Sequence, residues 1–205
     1  VAVFAKAPVP GAAKTRLIPE LGPLGAARLH LRFVRRALET ALAADVGRVE
    51  LWGTQPDSDL SELARTLNVE VRMQSSGDLG SRMAHTFGRL LAQAPLAILV
   101  GSDCPARSAQ DFREARAHLE AQCDAVVGPA EDGGYHLIAL RGVQHALFAQ
   151  IDWGTERVMQ QTRSRMQGLG WRWHELPMRW DVDSPADLKR LREDAQLTAL
   201  TADWQ

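Results

Sequence analysis

The sequence predicts a three-layer α/β fold with a doubly wound, mainly parallel sheet. Three observations carry this expectation. Short apolar strand-like runs alternate with amphipathic helical segments along almost the whole chain. The run Leu96–Val100 is apolar throughout, as a strand covered on both faces would be. The loops that carry glycine, cations and carboxylates follow the strand-like runs, and in open α/β sheets ligands bind at the carboxyl ends of strands.

In chain order, Val1–Lys6 reads as a strand running into the loop Ala7–Leu17. Leu24–Ala43 is an amphipathic helix, with Leu29, Phe33, Ala37 and Leu38 on one face and Arg32, Arg35 and Arg36 turned elsewhere. Val46–Trp52 is a strand, Asp59–Leu67 a helix and Val69–Met73 a strand. Leu79–Ala92 is helical by the spacing of Leu79, Met83, Phe87, Leu90 and Leu91. After the central run, Ser108 and Asp111 form a capping box opening a helix over Phe112–Gln122. Ala125–Val127 and Tyr135–Leu140 are strands around a turn, Thr155–Met166 a helix and Trp171–Glu175 a strand. Ser184 followed by Pro185 opens the last helix, and the tail after Gln196 is weakly patterned and expected to be mobile.

A chain of 205 residues with no linker, repeat or low-complexity tract is expected to form a single domain over 1–205. A formal net charge of -1 speaks against nucleic acid and membrane surfaces as partners. Cys104 and Cys123 are too few for a disulfide framework or a zinc site and read as free thiols. No charged-plus-apolar leader precedes Val1, so a cytoplasmic setting is expected. Arginine outnumbers lysine 21 to three, yet two of the three lysines, Lys6 and Lys14, flank the first loop.

That loop, Ala7-Pro-Val-Pro-Gly11-Ala-Ala-Lys14-Thr15-Arg16-Leu17, is neither a Walker P-loop nor a dinucleotide fingerprint. It offers Gly11 for close backbone approach, and Lys14, Thr15 and Arg16 as donors to anionic oxygens. Asp103 follows the most apolar strand and is placed to ligate Mg²⁺ or Mn²⁺, or to shape a turn before Pro105. Asp181 and Asp183, two apart, point the same way on an extended backbone. Asp183 is a second metal ligand or simple turn chemistry before Ser184. The turn Glu131-Asp132-Gly133-Gly134-Tyr135 is a hairpin signal whose glycines would also admit a ligand, with Tyr135 facing the substrate or packing in the core. Gln74–Met83, with Gly80 and Arg82, leads into a helix and offers amides and a guanidinium to a nucleobase or phosphate. Trp171, Trp173 and Trp180 are expected to pack the late strands, and Trp153 to line an acceptor pocket. His85, His136 and His174 are isolated and read as structural.

Five motifs, taken in order, carry a resemblance over nearly the whole chain. They are Lys6-Ala-Pro-Val-Pro-Gly11-x-x-Lys14-Thr-Arg-Leu17, Gly101-Ser-Asp103-x-Pro105, Glu131-Asp-Gly-Gly-Tyr135, Asp152-Trp-Gly-Thr155 and Asp181-Val-Asp183-Ser-Pro-x-Asp187-Leu188. The set resembles the bacterial GT-A-like transferase family associated with radical-SAM/selenodomain proteins, formerly a domain of unknown function. That family is similar to phospholactate and molybdenum-cofactor guanylyltransferases, within the nucleotide-diphospho-sugar transferase folds.

The resemblance implies a nucleotide side made of Ala5, Lys6, Gly11, Lys14, Thr15, Arg16, Gln74, Gly80, Arg82 and Asp103. It implies an acceptor side of Glu131, Asp132, Gly133, Gly134, Tyr135 and Trp153, with Asp103 and Asp183 as ligands of Mg²⁺ or Mn²⁺. Lys14, Asp103 and Asp183 are the expected catalytic set. The expected reaction is glycosyl transfer from a nucleotide sugar to a small acceptor. The single acid in Ser-Asp103-Cys, where glycosyltransferases usually carry Asp-x-Asp, keeps nucleotidyl transfer to a phosphorylated acceptor as the alternative. Nucleotide binding without catalysis is a third reading.

Overall fold

A computed structural model describes residues 1–204 of the chain, and side chains through residue 202. Seven strands form one sheet: β1 (Ala2–Ala5), β2 (Glu50–Gly53), β3 (Glu70–Met73), β4 (Ala97–Gly101), β5 (Ala125–Pro129), β6 (Tyr135–Leu140) and β7 (Trp173–Glu175). Their order is β3-β2-β1-β4-β6-β5-β7. Only β6 runs antiparallel to its neighbours, β4 and β5, and the other pairings are parallel. The α-helices are α1 (Ile18–Ala44), α2 (Ser58–Leu67), α3 (Leu79–Leu91), α4 (Ala109–Glu120), α5 (Val158–Gly168) and α6 (Pro185–Glu193).

The layers follow from the alternation of side chains along each strand. In β1, Val3 and Ala5 enter one core with Val34 of α1, Leu60 of α2 and Phe112 of α4. Ala2 and Phe4 enter the opposite core with Met83 and Phe87 of α3 and Met159 and Met166 of α5. A third cluster joins Leu17, Leu29 and Phe33 to Trp180, Val182 and the α6 residues Leu188 and Leu191. Trp180 therefore packs α6 against α1, whereas Trp171 and Trp173 pack beside the second core. Among the described residues no helix is long and apolar enough to cross a membrane.

Helix starts match the sequence signals. Ser108–Asp111 and Ser184–Asp187 are both capping boxes, and Asp57 and Asp78 accept from Leu60 N and Ser81 N. Beyond shifts of a few residues at element ends, such as β2 starting at Glu50, two features of the helices differ from expectation. A short helical turn over 18–21 precedes the first long helix, joined to it through a bend at Gly22 (φ 68°, ψ 167°) that glycine adopts at little cost, so the long helix itself starts next to Leu24 as expected. The tail after Gln196 is a 3-10 helix over Thr198–Trp204. Leu197 and Thr201 are buried there, and Arg32 donates to Leu200 O at 2.9 Å, so contacts with α1 and α6 order a segment that lacks a pattern of its own.

His174 is not isolated: its ring stacks on His118 at 3.5 Å between centroids. His136 is buried under Gly128, where a Cβ would lie 2.4 Å from its Nε2. Burial, then the nearby Arg107, pushes its pKa down to about 3. The folded state thus keeps His136 neutral where the unfolded chain protonates it, near 6.5. Unfolding free energy should fall as pH drops from about 6.5 toward 3, with a slope approaching ~1.4 kcal/mol per pH unit from this group. Urea titrations of His136→Asn should lack that component; an identical pH profile would place the sensitivity in another group.

Candidate functional site

Strand order reverses at β1 and β4: β2 and β3 extend on one side of β1, and β4 lies on the other. The carboxyl edge of such a switch point opens a crevice between diverging loops. The loop after β1 brings Lys14 there, and the loop after β4 brings Asp103. A third segment, before α6, brings Asp183.

The first loop closes through Val9 O, which accepts from Ala12 N and Ala13 N. Lys14 itself is left-handed (φ 48°, ψ 47°), a conformation that costs a residue with Cβ about 1 kcal/mol or more. That twist turns its stem inward over the Phe33 ring, 5.6 Å from the ammonium, and leaves the side chain only 4% exposed. The ammonium Nζ lies 2.8 Å from Asp103 Oδ1 and 2.7 Å from Asp183 Oδ1, and donates to Val182 O at 2.8 Å. Burial opposes the ammonium, yet the two carboxylates more than offset it and hold the Lys14 pKa above its ordinary value. Burial likewise opposes the Asp103 carboxylate, and Lys14 and then His30 bring its pKa below the ordinary range.

The two acid-bearing loops are joined by backbone. Val182 N donates to Asp103 O at 3.0 Å, and Asp183 N donates to the capping carboxylate of Asp187 at 3.1 Å. Asp181 is half-buried, and burial, followed by Asp103, Asp132 and Asp183, pushes its carboxyl up to about 7. Asp103 and Asp183 keep 45% and 46% of their side chains exposed. These are hard oxygen donors in an acid-rich crevice, which suits Mg²⁺ or Mn²⁺. Among the described residues no group of three or more His, Cys, Asp or Glu side chains is placed to hold a metal ion; Asp103 and Asp183 are brought together through the Lys14 ammonium.

Gly11 (φ 84°), Thr15, Arg16 and Lys6 are exposed around the same loop, whereas Ala5 is buried and offers its carbonyl to Thr54 N. Gln74 and Arg82 lie at the same edge: Gln74 N donates to Gly53 O at 2.9 Å, and Arg82 Nη1 donates to Gln74 Oε1 at 2.9 Å. Gly80 is required by packing, since a Cβ there would sit 2.7 Å from Phe148 O and 2.8 Å from Trp153 Nε1. Trp153 thereby ties the start of α3 to the loop before α5 and meets Tyr135 edge-on at 6.4 Å.

The hairpin residues divide. Asp132 is exposed, its Oδ1 fixed by Gly134 N at 2.8 Å. Glu131 is drawn away to Arg190 on α6, at 2.7 and 3.2 Å, and that guanidinium lies over Trp180. The Tyr135 hydroxyl turns to Met83 Sδ at 3.7 Å, and burial pushes its pKa up. Gly133 (φ 86°) does not face open space: a Cβ would lie 2.2 Å from Glu156 O. Gly133→Ala combines left-handed strain with a backbone clash and should cost about 2 kcal/mol or more. A melting temperature within 1–2 °C of the wild type would show that the Asp152–Glu156 segment yields freely.

Two residues of the crevice are not apparent from the sequence. His30, on α1, is 3% exposed; its Nε2 lies 3.0 Å from Lys6 O and its Nδ1 3.8 Å from Asp103 Oδ1. Arg107, 2% exposed, donates to Gly101 O and His136 O, each at 2.6 Å, and clamps the ends of β4 and β6 behind Asp103. His30 sits within an apolar helical stripe beside Leu29 and Phe33, and Arg107 is one arginine among 21. Only their long-range partners distinguish them. Cys104, next to Asp103, is buried, and that burial pushes its thiol up to about 12, which favours the unreactive thiol over the thiolate.

Fold and crevice together define an α/β protein of the nucleotide-diphospho-sugar transferase-like class. The chain belongs to the family described as an uncharacterized protein conserved in bacteria (DUF2064), whose model matches residues 37–155. Among solved structures it is similar to a candidate nucleotide-diphospho-sugar transferase from Desulfovibrio desulfuricans G20, at 30% identity over 98% of this chain and 93% of that one, with a TM-score of 0.87. It shares its fold with CMP:2-keto-3-deoxy-manno-octonic acid synthetase complexed with CTP (13% identity, 100% and 98% coverage, TM-score 0.62). The same holds for Rv0371c of Mycobacterium tuberculosis H37Rv in complex with manganese (16% identity, 95% and 98% coverage, TM-score 0.56). No curated protein matches the sequence.

Proposed function

We propose that this protein transfers a glycosyl group from a nucleotide sugar to a small acceptor, with Mg²⁺ or Mn²⁺ held by Asp103 and Asp183. The observation that carries this reading is the Asp103–Lys14–Asp183 cluster at the β1/β4 switch point, between a cation-bearing loop and an acceptor-side hairpin. Lys14 is the cation seated among Asp103 and Asp183, with Asp181 and Asp132 close by.

In the transfer, the bond from the sugar's anomeric carbon to the diphosphate oxygen breaks, and its electron pair leaves with the nucleoside diphosphate. The acceptor's nucleophile forms the new bond and loses its proton, for which Asp132 is the acceptor-side carboxylate. Lys14, Arg16 and Lys6 hold the diphosphate and stabilise the charge that grows on it, so the protein contributes positioning and electrostatics without a covalent intermediate. The bound metal would add to that charge neutralisation. Half-exposed Trp153, edge-on to Tyr135, would line the acceptor side.

The single acid of Ser-Asp103-Cys and the fold shared with a CTP-bound synthetase favour nucleotidyl transfer as the second reading. A thermal-shift panel of nucleotide sugars and nucleoside triphosphates, each with and without metal, separates the two. Metal-dependent stabilisation by a nucleotide sugar, with nucleoside diphosphate released in an acceptor screen, is the expected outcome. Stabilisation by a triphosphate alone, with pyrophosphate released, would move the assignment to nucleotidyl transfer. Binding with no turnover on any acceptor would make the protein a nucleotide-binding module.

A further inference from the structure

Gln74 stands where a residue reading the nucleotide is expected, yet its amide is already committed to protein. Nε2 donates to Trp52 O at 2.8 Å and, at a longer 3.5 Å, to Ala5 O, while Oε1 accepts from Arg82 Nη1 at 2.9 Å. Reversing the amide would set its oxygen against two carbonyls and its NH₂ against a guanidinium, so the orientation is dictated by its neighbours. With Gln74 N on Gly53 O, this one residue joins the carboxyl ends of β1, β2 and β3 to the first turn of α3.

Arg82 is held on its other side as well, with Nε donating to Asp78 O at 3.3 Å. Both acceptors are neutral oxygens. The Asp78 carboxylate is turned to Ser81 N at 2.8 Å, and among the described residues no carboxylate lies within 4.0 Å of the Arg82 nitrogens. The side chain is half-exposed, at the edge of the sheet from which the Lys14 loop departs. Most of the other arginines near the crevice are spent: Arg107 on carbonyls inside the core, Arg190 on Glu131 and Arg179 on Asp111. A guanidinium oriented by neutral groups keeps its full charge and part of its donor fork for an anion.

We propose that Gln74 is a positioning residue that makes no contact with the nucleotide and aims Arg82 at a phosphate of the donor. This rests on the nucleotide-donor reading and sharpens it: the phosphates would be gripped from two sides, by the Lys14 loop and by Arg82. A strand-end glutamine would then govern donor affinity through the arginine it orients.

The test is a double-mutant cycle on the full chain, read by titration calorimetry with UDP, GDP, CDP and ADP in Mg²⁺, and with the corresponding nucleosides. Arg82→Met should weaken binding of the preferred diphosphate about ten- to a hundredfold and leave nucleoside binding within about twofold. Gln74→Leu should weaken the diphosphate by a comparable factor, and the double variant should bind as Arg82→Met alone does. In turnover, both single variants should raise KM for the donor more than they lower kcat. If Gln74→Leu does not fold, Gln74→Asn, which keeps both polar groups on a shorter stem, supplies the second arm. A full additional loss from Gln74→Leu in the Arg82→Met background would overturn the positioning role alone. Unchanged diphosphate affinity in Arg82→Met would remove Arg82 from the phosphate site. Failure of the unsubstituted protein to bind any nucleotide would overturn the donor reading and this inference with it.

Discussion

Lys14→Ala is expected to bind the nucleotide donor about ten- to a hundredfold more weakly and to melt several degrees lower than the wild type. The affinity loss is that of one charge-assisted contact to phosphate, worth ~1.5–3 kcal/mol. The stability loss has a separate origin. Lys14 Nζ is shared by Asp103, Asp183 and Val182 O within 2.8 Å, and its removal leaves two carboxylates facing each other without a cation. Breaking a buried pair costs about 3–5 kcal/mol, but Asp103 and Asp183 are nearly half exposed and water screens part of that repulsion. A loss of about 2 kcal/mol is therefore expected, or roughly 4–8 °C for a chain of this size.

The effect should depend on pH. The Lys14 pKa is raised, so its contribution is complete below about 10.5 and is lost only as pH rises beyond that. The Asp103 pKa is lowered, so its contribution is present above about 3.8 and is lost as pH falls through its folded value. The difference between wild type and Lys14→Ala should accordingly be largest near neutrality and shrink below about pH 4. A folded Lys14→Ala protein with undiminished nucleotide affinity would remove the first loop from the site.

Asp103→Asn should lower metal-dependent turnover by at least about a hundred- to a thousandfold, with the fold largely intact. The amide keeps the shape of the side chain, and the backbone bond from Val182 N to Asp103 O is untouched. Lys14 retains Asp183 and Val182 O. On the proposed metal site, what is lost is one of two anionic oxygen donors for a hard cation, together with the charge that balances Lys14. The matching observation is loss of the Mg²⁺- or Mn²⁺-dependent part of the nucleotide thermal shift, while binding without metal persists. Full turnover in this variant would place the metal elsewhere or dispense with it.

Much of the architecture was legible from local signals. Ser108–Asp111 and Ser184–Pro185 announce helix starts because a capping side chain acts within its own turn. Leu96–Val100 reads as a central strand because both faces of β4 are covered, by different cores. The loop after β1 and Asp103 after β4 were visible as chemistry-bearing loops behind strands. Gly133 and Tyr135 show where such reading stops. The first was expected to admit a ligand and instead packs against Glu156, and the second turns its hydroxyl to Met83. A glycine or tyrosine in a turn carries the same signal whether its open side meets solvent or another segment.

By itself the sequence determined the alternation of strand and helix, the two faces of each element, the capped helix starts and the placing of Lys14, Asp103 and Asp183 in chemistry-bearing segments next to strands or before a helix. Each rests on interactions within a few residues or on side-chain chemistry. The tertiary structure alone decided that Lys14 bends inward in a left-handed turn to sit between carboxylates 89 and 169 positions away. It also brought His30 and Arg107 behind them, and set the Gln74 amide between strand carbonyls and Arg82. Those outcomes depend on strand order and on partners distant in sequence, and such distances are set only when the sheet closes.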